Sequence, residues 1–153
     1  GHGDGHRSRG RGQVRWMNVK VVDGGRAPER KTAGAAGLDC YAREDVRIMP
    51  YETRRIPLGF ACEIPEGFAG MLVLRSSIAS SGHVYAPSVG IIDSDYRGEV
   101  SAVLATHGNA YAVRKGDRIA QMVVVPVSYV AVSVVDELTS TERGSGGFGS
   151  TGR

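Results

Sequence analysis

Short apolar segments, each about the length of a β-strand, recur along almost the whole chain and limit the folds it can adopt. They follow one another at a spacing of about 8–12 residues and are rich in valine and isoleucine. Turn-forming groups such as Pro65-Glu66-Gly67 and His107-Gly108-Asn109 separate them. This pattern predicts an all-β domain with little helix, either a β-barrel or a double-sheet roll of the jelly-roll-like kind. The predicted strands are 13–22, 38–42, 46–49, 54–58, 60–64, 69–74, 89–92, 100–105, 119–125 and 129–135.

The composition is that of an ordinary globular protein, with 153 residues, 41% hydrophobic and 23% charged side chains. No apolar run approaches the ~18 residues that a membrane span needs, and the N-terminus lacks the apolar core of a signal peptide. We therefore expect no membrane contact, no secretion and a cytoplasmic location, with a nuclear or viral origin left open. Cys40 and Cys62 lie in strand-like segments, and we predict that both are buried free thiols.

The net positive charge of the chain comes from its N-terminus. Four arginines and one aspartate in residues 1–15 account for the whole net charge of +3. Residues 1–12 contain no apolar side chain, so we predict a disordered Gly/Arg/His-rich arm, either native or left over from cloning. Nucleic acid is an unexpected partner except through this arm. Residues 13–138 form the predicted β domain, and the glycine-rich residues 139–153 form a predicted flexible segment.

A polar stretch from residue 90 to residue 100 interrupts two apolar runs. It predicts a β-hairpin with a turn at residues 95–98. Such a turn would bring together carboxylates, an aromatic ring and open backbone groups, which suits a small ligand. Loop carboxylates more often only solvate a turn, so the stretch alone favours a site only slightly.

Five segments, in order, resemble the motifs of the trimeric dUTP pyrophosphatase (dUTPase) family. The resemblance covers the chain from about Trp16 to its end and implies the β-clip, dUTPase-like form of the jelly roll. It also implies hydrolysis of dUTP to dUMP and pyrophosphate. The five segments are Ala-Gly-Leu-Asp (36–39), Arg-Ser-Ser (75–77), Gly-Ile-Ile-Asp-Ser-Asp-Tyr-Arg-Gly-Glu (90–99), Gly-Asp-Arg-Ile-Ala-Gln (116–121) and Arg-Gly-Ser-Gly-Gly-Phe-Gly-Ser-Thr-Gly (143–152).

The resemblance assigns the chemistry to the third segment. Asp93 is expected to be the base that activates a water for attack on the α-phosphorus. Tyr96 is expected to pack against the deoxyribose and to exclude a 2′-hydroxyl. The uracil is expected to meet backbone groups of the hairpin, at Gly90, Ile91, Ile92 and Ser101. Base recognition should rest on the backbone, because Ala86-Pro87-Ser88 stands where some relatives carry an asparagine.

The other segments are expected to hold the phosphates and the metal. The triphosphate is expected to contact Arg75, Ser76, Ser77 and Gln121. The fifth segment would close as a lid, with Arg143 on the γ-phosphate, Phe148 stacked on the base and Gly149 beside it. Asp39 is expected near the water shell of a metal ion.

The resemblance also implies a homotrimer whose three sites each combine segments from all three chains. Mg²⁺ would be bound by the triphosphate and by waters, without direct protein ligands. The sequence shows no cluster of His, Cys and carboxylates with metal-ligand spacing.

Two alternative functions are also compatible with parts of the sequence. A dCTP deaminase-like enzyme would share the Arg-Ser-Ser segment, but it uses a glutamate on the strand after the hairpin, where residues 100–105 contain no acid. A nucleotide-binding regulatory protein would use the basic arm as its partner contact.

Overall fold

The computed structural model describes residues 14–149, and strands dominate its regular structure. The strands are short because turns containing glycine, proline or serine interrupt the apolar runs every few residues. One helical turn, α1, interrupts them after β6. In chain order the elements are β1 Asn18–Val21, β2 Leu38–Tyr41, β3 Val46–Ile48, β4 Thr53–Pro57, β5 Phe60–Glu63, β6 Phe68–Leu74, α1 Ser76–Ala79, β7 Val84–Tyr85, β8 Gly90–Ile92, β9 Ser101–Thr106, β10 Tyr111–Val113 and β11 Arg118–Pro126.

The strands pair antiparallel in four small sheets. The largest has the order β2-β11-β6-β8, and a second has the order β4-β9-β7. The pairs β1-β5 and β10-β3 complete the structure of the described residues. Most neighbours in these sheets are distant in sequence, as expected of a jelly-roll-like fold.

The core lies between the inner faces of these sheets. In β3 and β9 the alternation of side chains buries valine, isoleucine and leucine and leaves Arg47 and Val103 outside. The residues with the largest fully buried side chains are Phe60, Ile48, Ile56, Leu58, Leu104, Ile119 and Met122.

Both cysteines belong to this core, as predicted. Cys40 and Cys62 are buried and free. Burial raises the pKa of the Cys40 thiol to about 12, and it also raises the pKa of Cys62. Both thiols therefore stay protonated at neutral pH.

Nine of the ten segments predicted as strands include a strand of the structure. The tenth prediction is wrong. Residues 129–135 form no strand, although Val130, Val132 and Val134 alternate as strand residues do. These three side chains are 77%, 88% and 94% exposed. No strand of residues 14–149 pairs with this segment, so its backbone lacks there the pairing that would make it part of a sheet.

Two smaller expectations also change. The first strand begins at Asn18 rather than at residue 13, and residue 13 itself lies outside the described residues. The sequence did not predict β7 and β10, which have two and three residues. The one helix among residues 14–149, α1, is far too short to cross a bilayer.

The predicted hairpin at residues 90–100 is also wrong in its pairing. β8 pairs with β6, whereas β9 pairs with β4 and β7. The two strands therefore belong to different sheets. Residues 93–100, which we call the site loop, connect the two sheets instead of closing a hairpin.

Candidate active site

A cavity of about 220 Å³ lies between β8 and β9, next to both ends of the site loop. It is open to solvent and has both polar and apolar walls. Many of the residues predicted to contact the base and sugar line it. Its lining is Arg55, Leu72, Gly90, Ile91, Ile92, Asp93, Tyr96, Glu99, Val100, Ser101 and Val103.

The separation of β8 from β9 leaves backbone groups available in this cavity. β8 is the edge strand of its sheet, so alternate N–H and C=O groups face away from β6. β9 pairs with β7 only at Ala105 and Thr106. From Ser101 to Leu104, the edge of β9 that faces β7 therefore has no partner strand among residues 14–149. A planar ring with donors and acceptors at its edge can therefore bind between the two strands.

Asp93 stands at the point where β8 ends and the site loop begins. Its carbonyl oxygen accepts the Tyr96 amide at 3.1 Å, which closes a turn at residues 93–96. This turn lies two residues before the predicted one. The Asp93 side chain is exposed and pairs with no cation among residues 14–149. It is free to accept a hydrogen bond from a water or a ligand.

Tyr96 is half exposed at the rim of the cavity, and two contacts fix its ring. Its hydroxyl donates to the Glu99 carbonyl oxygen at 3.0 Å. Gly98 packs beneath the ring, where an added Cβ would lie 2.4 Å from the Tyr96 hydroxyl oxygen. A residue with any side chain at position 98 would therefore displace the ring.

Glu99 is a polar anchor of the site loop that the sequence analysis did not single out. Its Oε2 accepts hydrogen bonds from Arg43 Nε at 2.7 Å and from the Gly59 amide at 2.9 Å, while Oε1 accepts Arg43 Nη2 at 3.2 Å. The Glu99 carboxylate, through this bidentate bond, raises the pKa of Arg43. The partners lie 56 residues apart in sequence, so no local pattern could have revealed them.

Arg75, Ser76 and Ser77 lie together where β6 ends and α1 begins. Arg75 caps the helix with an extended backbone and no side-chain hydrogen bond. Both serines are exposed, and among the described residues their hydroxyls make no hydrogen bond. This arrangement leaves two hydroxyls and a guanidinium for an anion.

Asp93 and Ser76 are far apart within one chain. Gly70 of β6 lies opposite Ile92 of β8, so Asp93 is level with Ala69. Ser76 follows Ala69 by seven residues of extended chain, which corresponds to roughly 20 Å. One chain alone therefore does not bring the predicted base to the predicted phosphate-binding residues.

Asp39 and Gln121 face each other across the β2-β11 pair. Asp39 Oδ2 accepts Arg118 Nη1 at 3.1 Å, and Oδ1 makes no hydrogen bond in residues 14–149. Gln121 lies against Gly37, where an added Cβ would be 2.5 Å from Gln121 Oε1. No side-chain hydrogen bond of Gln121 occurs in the described part, so the sheet does not use its amide.

The C-terminal segment, residues 127–149, contributes little to the packing of this chain. Arg143 donates from Nε to the Gly146 carbonyl oxygen and closes a small turn. Phe148 is fully exposed, with a φ of 52°, and Gly149 is exposed beside it. None of Arg143, Phe148 and Gly149 lines the cavity between β8 and β9.

Asp93 and Asp39 are suited to contact a metal ion through its bound waters, with the ion itself carried by a bound ligand. No group of three His, Cys, Asp or Glu side chains that could hold a metal occurs in residues 14–149. The exposed Asp93 and the free Oδ1 of Asp39 can instead accept hydrogen bonds from metal-bound water.

Comparisons with known proteins agree with this geometry. The family model for dUTPase matches residues 23–152. A deoxyuridine 5'-triphosphate nucleotidohydrolase of Anaeromyxobacter sp. (strain Fw109-5) is 50% identical over 130 residues, covering 82% of this chain and 87% of the relative. One from Rhizobium johnstonii is 43% identical over 145 residues, covering 91% of each chain.

Solved structures that resemble this chain are dUTPases as well. The Staphylococcus bacteriophage 80alpha dUTPase with dUpNHpp has a TM-score of 0.82 and 31% identity, covering 92% of this chain and all of the other. A variant dUTPase of phage phi11 of S. aureus, which coordinates a structural Mg(II) ion, has a TM-score of 0.76 and 26% identity, covering 80% of this chain and 98% of the other.

These matches define the class of the molecule as an all-β nucleotide hydrolase. More particularly, the chain belongs to the dUTPase family and is an enzyme that hydrolyses dUTP. The predicted family, fold class and activity are thereby confirmed. The predicted arm, residues 1–12, lies outside the described residues, and the division into arm, domain and lid stays a prediction.

Proposed function

We propose that this dUTPase forms dUMP and pyrophosphate through attack of an Asp93-activated water on the α-phosphorus. The observation that carries the proposal is the position of Asp93 and Tyr96 at the mouth of a cavity with open backbone edges. Asp93 is exposed and unpaired in the described residues, so its carboxylate can hold and deprotonate a water. Such positioned bases contribute about 10²- to 10⁴-fold to a rate.

The cavity between β8 and β9 is the proposed uracil and sugar subsite. The base would bind edge-on to the backbone of β8 at Gly90–Ile92 and of β9 near Ser101. The ring of Tyr96 would lie against the deoxyribose, where a 2′-hydroxyl would collide with it. Uracil would be distinguished from thymine because a 5-methyl group needs additional space between the two strands.

The triphosphate would bind at the start of α1. Arg75, Ser76 and Ser77 offer a cation and two hydroxyls, and Gln121 offers an unused amide. Substrate binding would then order the C-terminal segment, with Arg143 on the γ-phosphate and Phe148 and Gly149 over the base. Closure of such a lid excludes water and aligns the reacting groups.

Mg²⁺ would be held by the triphosphate and by waters, with Asp39 in contact with the water shell. When bound, the ion would neutralise phosphate charge and orient the chain of phosphates. The free Oδ1 of Asp39 and the exposed carboxylate of Asp93 fit this arrangement.

We further propose a homotrimer in which each site uses residues from different chains. Two observations support this assembly. Asp93 and Ser76 of one chain are roughly 20 Å apart along β6, by the rise of an extended strand. In addition, Val130, Val132 and Val134 form an exposed apolar row with strand-like alternation, which suits pairing with a second copy.

The experiment that tests this function is pyrophosphate release with Mg²⁺ from dUTP, UTP, dTTP and dCTP in parallel. Release from dUTP alone is expected. Equal release from UTP would contradict the role of Tyr96, and equal release from dTTP would contradict the narrow subsite. Ammonia release from dCTP would favour a deaminase instead. Binding of dUTP without hydrolysis would favour a regulatory protein.

A further inference from the structure

The site loop is attached to the body of the protein by a polar clamp that consists of Glu99, Arg43 and the Gly59 amide. We propose that Glu99 is a positioning residue: through this clamp it fixes Tyr96 and thereby sets the discrimination between dUTP and UTP. The inference rests on the function proposed above and adds a specificity role for two residues outside the predicted site.

The clamp joins three parts of the chain. Arg43 follows β2, Gly59 lies in the turn between β4 and β5, and Glu99 is at the end of the site loop. Three hydrogen bonds of 2.7–3.2 Å meet on one carboxylate. The Arg43 and Glu99 side chains are 27% and 23% exposed, so water screens this pair less than it screens the exposed ion pairs of the surface.

The backbone on both sides of the clamp is fixed as well. The Arg43 amide donates to the Pro57 carbonyl oxygen at 2.9 Å, and the Val100 amide donates to that of Phe60 at 2.8 Å. The carboxylate of Glu99 therefore connects the site loop to rigid strands. Residues 94–98, in contrast, are mostly exposed, and their ion pair to the body of the protein, from Arg97 Nε to Glu63 Oε1 at 3.9 Å, joins two exposed side chains.

The clamp is connected to Tyr96 through the backbone of Glu99. The carbonyl oxygen of Glu99 accepts the Tyr96 hydroxyl at 3.0 Å, while the carboxylate of the same residue binds Arg43 and Gly59. Gly98 leaves no space between the ring and the loop backbone. A shift of residues 98–99 would therefore shift the aromatic ring.

The position of the Tyr96 ring matters more for the rejection of UTP than for the binding of dUTP. Rejection of a 2′-hydroxyl by a ring is a steric contact, and it weakens as soon as the ring can withdraw. Binding of the deoxyribose tolerates the same movement better. Loss of the clamp should therefore reduce the selectivity for dUTP more than it reduces the turnover of dUTP.

The first test compares kcat and KM for dUTP and UTP in Glu99→Gln and Arg43→Ala. Glu99→Gln keeps the size of the side chain but removes the charge. Both variants should reduce the ratio of kcat/KM for dUTP over UTP about tenfold or more, with kcat for dUTP within about threefold of wild type.

Arg54→Ala, which removes an exposed ion pair with Glu52 at 3.8 Å, is the matched control and should leave all values unchanged. If Arg43→Ala fails to fold, Arg43→Lys removes the bidentate geometry while keeping the charge.

A double-mutant cycle separates positioning from general stabilisation. Tyr96→Phe removes the hydroxyl that binds the Glu99 carbonyl oxygen. If the clamp acts through Tyr96, Glu99→Gln should cost clearly less selectivity in the Tyr96→Phe background than in the wild type. Full additivity, or wild-type selectivity in folded Glu99→Gln and Arg43→Ala, would overturn the clamp while leaving the proposed function intact. Failure of the wild-type enzyme to prefer dUTP over UTP would overturn the proposed sugar subsite, and the clamp with it.

Discussion

The site loop, residues 93–100, and the C-terminal segment, residues 127–149, both carry family motifs but differ in how the chain holds them. The site loop is fixed at both ends by backbone bonds and by the carboxylate of Glu99. The C-terminal segment exposes Tyr129, Val132 and Phe148 and makes few hydrogen bonds to the rest of the chain. Contacts within a single chain hold the site loop in place. The C-terminal segment instead exposes apolar side chains that a second copy or a bound substrate would cover.

This difference follows from elementary energetics. The site loop borders two sheets whose strands supply donors, acceptors and a buried wall. The C-terminal segment has apolar side chains in strand-like alternation, but no strand in the described part of the chain pairs with it. An exposed row of valines is unfavourable in water, and burial of each would contribute about 1.5–3 kcal/mol. We infer that the site loop sets selectivity and that the C-terminal segment sets assembly and closure.

The largest expected effect comes from Asp93→Asn in the site loop. The substitution keeps the size of the side chain and removes the base, so turnover should fall about 10²- to 10⁴-fold while dUTP still binds. Steady-state kinetics and titration with a non-hydrolysable dUTP analogue measure the two quantities. Asp95→Asn is the matched control, since it removes an exposed carboxylate of the same loop and should change turnover little. Equal losses in both variants would remove Asp93 from its role.

Removal of the chain after Glu142 tests the C-terminal segment as a lid. The oligomer should remain intact, because the row of exposed valines is retained. Turnover should fall roughly 10²-fold, the scale of a misplaced reacting group. Analytical ultracentrifugation and pyrophosphate release give the two readouts. A fully active truncated enzyme would contradict the lid.

Val132→Asp tests the same segment as an assembly contact. A charge buried at this position would weaken association about 10- to 100-fold, because it loses apolar burial and places a carboxylate in an interface. Sedimentation should show dissociation at low protein concentration, and specific activity should fall with dilution. Thr139→Asp, at an exposed position beyond the valine row, serves as the control. Unchanged sedimentation of Val132→Asp would place the interface elsewhere.

The smallest effect concerns the stability of the core at high pH. Cys40 has a pKa of about 12 in the folded chain and about 9 when unfolded, because burial disfavours its thiolate. The folded state thus retains a proton that the unfolded state loses. This contribution is complete below pH 9 and disappears as the pH rises towards 12. Between pH 8 and pH 10 the free energy of unfolding should fall by about 1.4 kcal/mol.

Urea denaturation at the two pH values measures this change. The variant Cys40→Ala provides the comparison, since it lacks the thiol. It should be less stable at both pH values because of the cavity, but it should lose less stability between them. An equal loss in both proteins would mean that other groups cause the pH dependence.

The strands and the catalytic candidate could be predicted from sequence because their signals are local. Alternating apolar residues between turns predicted nine strands that the structure contains, whereas the role of Asp93 was inferred from the family resemblance of its neighbouring residues and stays a prediction. The Glu99–Arg43 clamp could not be found in this way, because the two residues meet only after folding and lie 56 positions apart. β7 and β10 are too short to show a period.

Two wrong predictions have a common cause. Residues 129–135 have a strand pattern, and so do the two sides of the expected hairpin. A pattern gives the preference of a segment but not its partner. In the first case no described strand of the chain is a partner, and in the second each strand pairs with a strand of a different sheet.

Complementation tests directly whether each site combines Asp93 of one chain with Ser76 of another, as we propose. Asp93→Asn is mixed with the double variant Arg75→Ala/Ser76→Ala, and the two inactive proteins are unfolded and refolded together. If each site draws these residues from different chains, roughly a quarter of the sites regain both and activity returns to about that level. If both residues act within one chain, every site remains defective. A mixture as inactive as its two components would contradict sites shared between chains.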